Sequence, residues 1–202
     1  MPTTILIARH GETDWNREHR WQGHADPPLN DTGRRQAREL AARLEAAPPG
    51  AVYSSDLSRA HETAEIVAAA LGLAVGVEPR LREVDVGEWS GLTSQEVEER
   101  FPEGLRRWRE GRTGWTQGET LDELGVRIVA ALEAIAANHP DGRVLVVTHG
   151  GALRAVWNAA GLPAEERPRY PNCAVEVLSL ESGRIRRIDS LQGGGLHQQV
   201  QG

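Results

Sequence analysis

The sequence predicts a three-layer α/β/α sandwich around a mostly parallel sheet. Three observations predict it: apolar β-rich runs with no polar face, amphipathic helical stretches alternating with them, and short connections between the two. TTILIAR (3–9) and RVLVVT (143–148) have the composition of strands covered on both sides, as in a parallel sheet. Strand and helix in alternation, joined by right-handed crossovers, give a doubly wound sandwich.

The elements follow in order. The strand at 3–9 stops on Arg9-His10-Gly11. GRRQARELAARLEAA (33–47) places Ala37, Leu40, Ala41 and Leu44 on one helical face. AVYSS (51–55) is a second, shorter strand, and LSRAHETAEIVAAALG (57–72) a helix that ends at Gly72. LAVGVE (73–78) reads as a third strand. Thr93-Ser94-Gln95-Glu96 and Thr120-Leu121-Asp122-Glu123 each have capping-box form, the second opening the longest helix, to about Asn138 before Pro140. RVLVVT leads directly into a helix over 150–162, and 172–181 with 183–190 form a closing hairpin around Ser182-Gly183. Residues 101–118, with two tryptophans and four glycines, fit no pattern and read as a lid or insertion over a site. No repeat or linker divides the chain, so residues 1–190 are expected to form a single domain and 191–202 a flexible tail.

Composition bounds the function. At 202 residues the chain can bury its apolar surface without disulfides or a structural metal. A net charge of −6 argues against nucleic acid, whose phosphates need a basic face. Apolar runs fall short of the roughly 20 residues that span a bilayer, and no basic leader with a cleavage site precedes the first strand. With a single cysteine, Cys173, this makes a cytoplasmic location the expectation, and the thiol reads as an ordinary buried one. Every one of the 23 basic residues is arginine, so only the placement of arginines is informative.

Placement is where chemistry emerges, because open parallel sheets bind ligands beyond the carboxyl ends of their strands. Arg9-His10 closes the first strand, Thr148-His149-Gly150 closes RVLVVT, Arg59 lies in the first turn after AVYSS, and Glu83 follows the third strand. Two guanidiniums and an imidazole suit a tetrahedral dianion, with phosphate the simplest candidate. Helices starting near Leu57 and Gly150 can add N–H groups to it. No Walker-type loop is present. Neutral imidazole is a nucleophile near pH 7, so His10 on its rigid strand end is the candidate attacker, its tautomer fixed if the other ring nitrogen donates to the Gly11 carbonyl. Arg9, Arg59 and His149 would hold the equatorial oxygens. Glu83 would protonate the leaving alkoxide, kept in its acid form by the charge of the bound phosphate, and then activate water. The arginines supply the positive charge a metal supplies elsewhere, so no metal or cofactor is expected; Asp85 and Glu88, near Glu83, are the only counter-signal.

With those residues in place, the chain resembles the histidine phosphatase superfamily, also called phosphoglycerate mutase-like. The matching pieces are Arg9-His10-Gly11-Glu12-Thr13 with Trp15-Asn16, Gln22-Gly23, Pro28-Leu29 leading to Gly33, Ser54-Ser55-Asp56-Leu57-Ser58-Arg59-Ala60 with Thr63-Ala64, Leu81-Arg82-Glu83 and Thr148-His149-Gly150-Gly151. The resemblance implies a phosphate pocket of Arg9, Arg59 and His149 around the nucleophile His10, with Glu83 as proton donor. It also implies that Asn16, Gln22, Gly23 and Gly150 contact phosphate or substrate, and that Gly118-Glu119-Thr120 opens a helix.

Within that superfamily, cofactor-dependent mutases follow the glutamate with Arg-His-Tyr-Gly, whereas Glu83 is followed by Val84-Asp85-Val86-Gly87-Glu88-Trp89. This is similar to the broad-specificity, α-ribazole and glucosyl-phosphoglycerate phosphatase branches. The expectation is therefore a metal-independent phosphatase of small phosphorylated metabolites, with a 2,3-bisphosphoglycerate-dependent mutase and an idle binding protein as alternatives. Arg106-Arg107 resembles the mutases' paired arginines but reads first as a solvated helix face. Trp108 and Trp115 are candidates for stacking on substrate, Trp15, Trp21 and Trp89 for packing near the mouth, and His24 for its rim. His19, His61, His139 and His197 read as surface residues. A homodimer is an open assembly with no sequence feature behind it, and membrane is not an expected partner.

Overall fold

Six strands make one sheet in the computed structural model, which describes residues 2–163, 166–181 and 184–191. They are β1 (Thr3–Arg9), β2 (Ala51–Ser54), β3 (Val75–Val77), β4 (Arg143–Thr148), β5 (Val175–Glu181) and β6 (Arg184–Leu191), in the order β3-β2-β4-β1-β5-β6. β1 to β4 run parallel; β5 is antiparallel to β1 and β6 to β5. The helices are α1 (Asp14–Arg17), α2 (Asp31–Leu44), α3 (Ser58–Leu71), α4 (Ser94–Arg100), α5 (Pro102–Arg109), α6 (Leu121–Asn138) and α7 (Gly150–Ala159).

The missing polar face of the central strands has the expected cause. Leu6, Ala8, Leu145 and Val147 pack under Leu40 and Leu44 of α2 and Ala64 and Val67 of α3. Ile5, Ile7, Val144 and Val146 pack on the opposite side, under Leu124, Ile128 and Leu132 of α6 and Leu153 of α7. Two helical layers therefore sandwich the sheet. β5 alternates in the same way, with Val175 and Val177 facing the first layer and Leu178 and Leu180 the second; its pairing with β6 shifts register between Val177 and Leu178.

Both capping boxes form, Thr93 with Glu96 and Thr120 with Glu123, and Gly72 ends α3 in the left-handed region at φ 69°. Boundaries differ in places. α2 begins at Asp31 because the Asn30 side chain accepts from Gly33 N, and it stops at Leu44, ahead of Pro48-Pro49. β3 is shorter than 73–78. The Ser182-Gly183 turn and the tail from 192 lie outside the described residues.

Segment 101–118 is the main correction, for it contains α5 where an irregular lid was expected. Pro102 occupies the first turn of α5, where its missing N–H costs nothing. The glycines that read as loop signals serve packing: a Cβ on Gly104 would sit 2.4 Å from the Gly114 carbonyl oxygen, and one on Gly114 2.3 Å from the Trp89 ring. The segment is pressed onto Trp89, which is fully buried. Among the described residues no helix is long and apolar enough to cross a membrane.

Candidate active site

The register of β1 and β4 builds the centre of the site. Arg9 pairs with Thr148, and His10 N donates to the Thr148 carbonyl at 2.9 Å, so the two strand ends deliver His10 and His149 side by side. Their ring centroids are 5.2 Å apart. His10 Nδ1 donates to the Gly11 carbonyl at 2.7 Å, the bond anticipated from sequence, which leaves Nε2 with its lone pair. Burial first, then the charges of Arg59 and Arg9, hold the His10 imidazole well below its ordinary pKa, so it is neutral at pH 7. Gly11 is needed because the backbone of Gly33 passes against it: a Cβ there would lie 2.6 Å from Gly33 O.

Two guanidiniums flank the imidazoles, each anchored by backbone carbonyls. Arg59, fully buried in the first turn of α3, donates to Ala25 O at 2.7 Å and Gly23 O at 2.9 Å. Desolvation brings its pKa down to about 10, against the partial support of Glu83 and Asp26. Arg9 Nη1 donates to Tyr170 O at 2.7 Å. Nε of both arginines and both ring nitrogens of His149 are buried with no partner in the protein. His149 is fully buried and also shifted well down, by desolvation and then Arg59 and His10. Buried donors of this kind cost free energy unless an acceptor meets them, and an oxyanion is the acceptor that satisfies guanidinium and imidazole together.

Glu83 stands across from this group, in the loop after β3. Its Oε1 accepts from Val84 N at 2.9 Å and its Oε2 from Gly151 N, in the first turn of α7, at 3.1 Å. Arg9, His10, Arg59 and Glu83 line one open cavity of about 440 Å³. Asn16, Gln22 and Gly23 line it too; Asn16 Oδ1 is taken up by Thr13 and Asn172, which leaves its amide nitrogen as donor. His149 is buried beside His10 and is not among the residues that line the cavity, and Gly151, not Gly150, forms part of the lining. Gly150 instead lies beside Arg9: a Cβ there would be 3.7 Å from its Nε.

Several residues depart from their sequence reading. Trp115 is buried core along with Trp89, while Trp15, Trp21 and Trp108 line the wall. Arg106 keeps its reading as a helix-face residue, exposed and paired with Glu103 and Glu110, and Arg107 donates to the carbonyls of Thr113 and Gly114, so neither belongs to the cavity. His24 is not in the lining; its Nε2 donates to the Glu83 carbonyl at 2.9 Å. Among the lining residues that the sequence reading missed are His19 and Asn172. His19, read as a surface residue, is exposed yet lines the mouth, with φ 56°. Asn172 Nδ2 donates to His10 O at 3.0 Å and Asn16 Oδ1 at 3.1 Å. Neither carried a sequence signal, since each is placed by a loop path that only tertiary pairing sets.

The family profile of the histidine phosphatase superfamily (branch 1) matches residues 5–191. The chain belongs to that superfamily. It is 42% identical over 184 residues to phosphoglycerate mutase-like protein 4 of Arabidopsis thaliana, covering 89% of this chain and 80% of that one. It is 42% identical over 183 residues to a metal-independent phosphoserine phosphatase of the same plant, covering 88% and 76%. Among solved structures, a mycobacterial glucosyl-3-phosphoglycerate phosphatase complexed with VO3 superposes with a TM-score of 0.83 at 30% identity, covering 95% of this chain and 99% of that one. Superfamily relatives of comparable similarity thus carry both mutase-like and phosphatase names.

Proposed function

We propose that the protein is a phosphatase of small organic phosphomonoesters that works through a phosphohistidine on His10 without a metal ion. The observation that carries this reading is a neutral, carbonyl-oriented imidazole beside two buried guanidiniums whose Nε groups have no protein partner. His10 Nε2 attacks phosphorus in line, the bond to the ester oxygen breaks, and Glu83 gives its proton to that oxygen. Arg9, Arg59 and His149 hold the equatorial oxygens as charge shifts. Glu83, now a carboxylate, takes a proton from water; the water oxygen attacks phosphorus, the P–N bond breaks, and neutral His10 returns with free phosphate. The phosphatase-named relatives support the same reaction class.

Hydrolysis of para-nitrophenyl phosphate in the presence of EDTA tests it. Wild type is expected to turn over and His10→Ala to lose at least about a thousandfold, with an acid-labile phosphoryl label trapped on wild type only. Turnover that requires added metal would refute the reading. Mutase chemistry is the alternative, and the engagement of Arg106 and Arg107 away from the cavity speaks against it. Isomerisation of 3-phosphoglycerate with negligible phosphate release would decide for the mutase, and inactivity on every phosphomonoester for an idle binding protein.

A further inference from the structure

The loop that carries Glu83 has almost no regular backbone pairing, yet its carbonyls are captured one after another. Arg127, on α6, donates through Nη1 to Arg80 O at 2.8 Å and Arg82 O at 2.9 Å, and through Nη2 to Glu83 O at 3.3 Å. Thr148 Oγ1, at the end of β4, donates to Leu81 O at 2.7 Å. Four consecutive carbonyls, 80 to 83, are therefore held by these two side chains, with His24 also donating to the last of them. Arg127 is in turn fixed by Glu119, whose Oε1 accepts from its Nε at 2.7 Å and whose Oε2 accepts from Nη2. Glu119 reaches the same loop through its backbone, its N–H donating to Asp85 O at 2.9 Å. Gly118 permits this approach: at φ 94°, a Cβ would lie 2.4 Å from Asp85 O.

We propose that Arg127, held by Glu119, is a positioning residue that sets the Glu83 carboxyl where it can protonate the leaving oxygen. The proposal rests on the phosphatase reading above. Arg127 does not line the cavity, so it acts only through the loop. A guanidinium suits the task because it directs several N–H groups in a fixed plane, which a lysine ammonium cannot reproduce. The Glu83 carboxyl itself is tied only to Val84 N and Gly151 N, so release of carbonyls 80 and 82, with 83 left to His24 alone, would let it drift from α7. Small displacements of an acid weaken proton transfer while leaving the phosphate pocket of Arg9, Arg59 and His10 untouched.

Leaving-group dependence separates this role from a purely structural one. para-Nitrophenolate departs without a proton, whereas phenolate, the same ring without the nitro group, benefits from one. kcat/KM for both esters is compared in wild type, Arg127→Lys, Arg127→Met and Glu83→Gln, with thermal unfolding as the check on folding. Both Arg127 variants are expected to lose at least about tenfold more on phenyl phosphate than on para-nitrophenyl phosphate, in the pattern of Glu83→Gln but to a smaller extent. Equal loss on the two esters, or no loss, would overturn the positioning role. Should Arg127→Met not fold, Arg127→Lys, which keeps a cation against Glu119, decides alone. A wild type that hydrolyses neither ester removes the phosphatase reading and the positioning role with it. An active wild type whose Glu83→Gln variant shows no selectivity removes Glu83 as the acid.

Discussion

Burial of His10 and His149 in a ring of guanidiniums couples the catalytic geometry to stability. Both imidazoles titrate well below 6.5 in the folded chain, because desolvation and neighbouring positive charge disfavour their cationic forms. Above pH 6.5 neither the folded nor the unfolded chain carries these protons. As pH falls below that value the unfolded chain binds them first, so folding stability drops with falling pH, by up to about 1.4 kcal/mol per pH unit for each ring. Urea unfolding at pH 7.5 and pH 5.0 should show this decline, and His149→Asn should remove part of the slope; an unchanged slope would mean that the ring is already free to protonate. The same crowding makes Gly11→Ala costly. Its Cβ would meet the Gly33 backbone at 2.6 Å, and backbone cannot yield as a flexible side chain does. A loss of about 2 kcal/mol or more in urea is expected.

Helix α6 illustrates how one element serves stability and site on separate faces. Gly125 sits inside it with nothing within 4 Å of the Cβ position, so Gly125→Ala should stabilise the fold by about 0.5–1 kcal/mol in a urea titration and leave kcat/KM unchanged. A destabilised variant would place hidden packing at that position. α6 was legible from sequence because a capping box and a long apolar periodicity coincide in it, and β1 and β4 because their side chains are apolar on both faces. α5 was not: its eight residues carry too few apolar positions for periodicity, and Gly104, which contacts Gly114, resembles a breaker when read alone. His10, Arg59, Glu83 and His149 could be read because each follows a strand closely, and strand ends converge in a parallel sheet. Arg127 and Asn172 act through backbone carbonyls on other segments, and sequence carries no mark of such partners.

The site exists only in the whole molecule, since the groups that line it come from the end of β1, the start of α3, the loop after β3 and the first turn of α7, with His149 at the end of β4 buried beside His10. An oxyanion bound among Arg9, Arg59 and His149 therefore ties together segments that unfolding would separate. Linkage makes the size of the effect computable: at a free concentration of a hundred times Kd, a ligand that binds only the folded chain adds about 2.7 kcal/mol. For a domain of this length, each kcal/mol raises Tm by roughly 2–4 °C, so saturating phosphate or vanadate should raise it by about 5–10 °C. Sodium chloride at matched ionic strength should not, because screening acts on exposed charges, whereas Arg59 and His149 are fully buried. Arg59→Met should lose most of the shift, whereas Arg106→Ala, whose side chain engages Glu103 and Glu110 on the exposed face of α5, should keep it. A shift reproduced by chloride, or retained in Arg59→Met, would mean that the anion binds elsewhere on the surface.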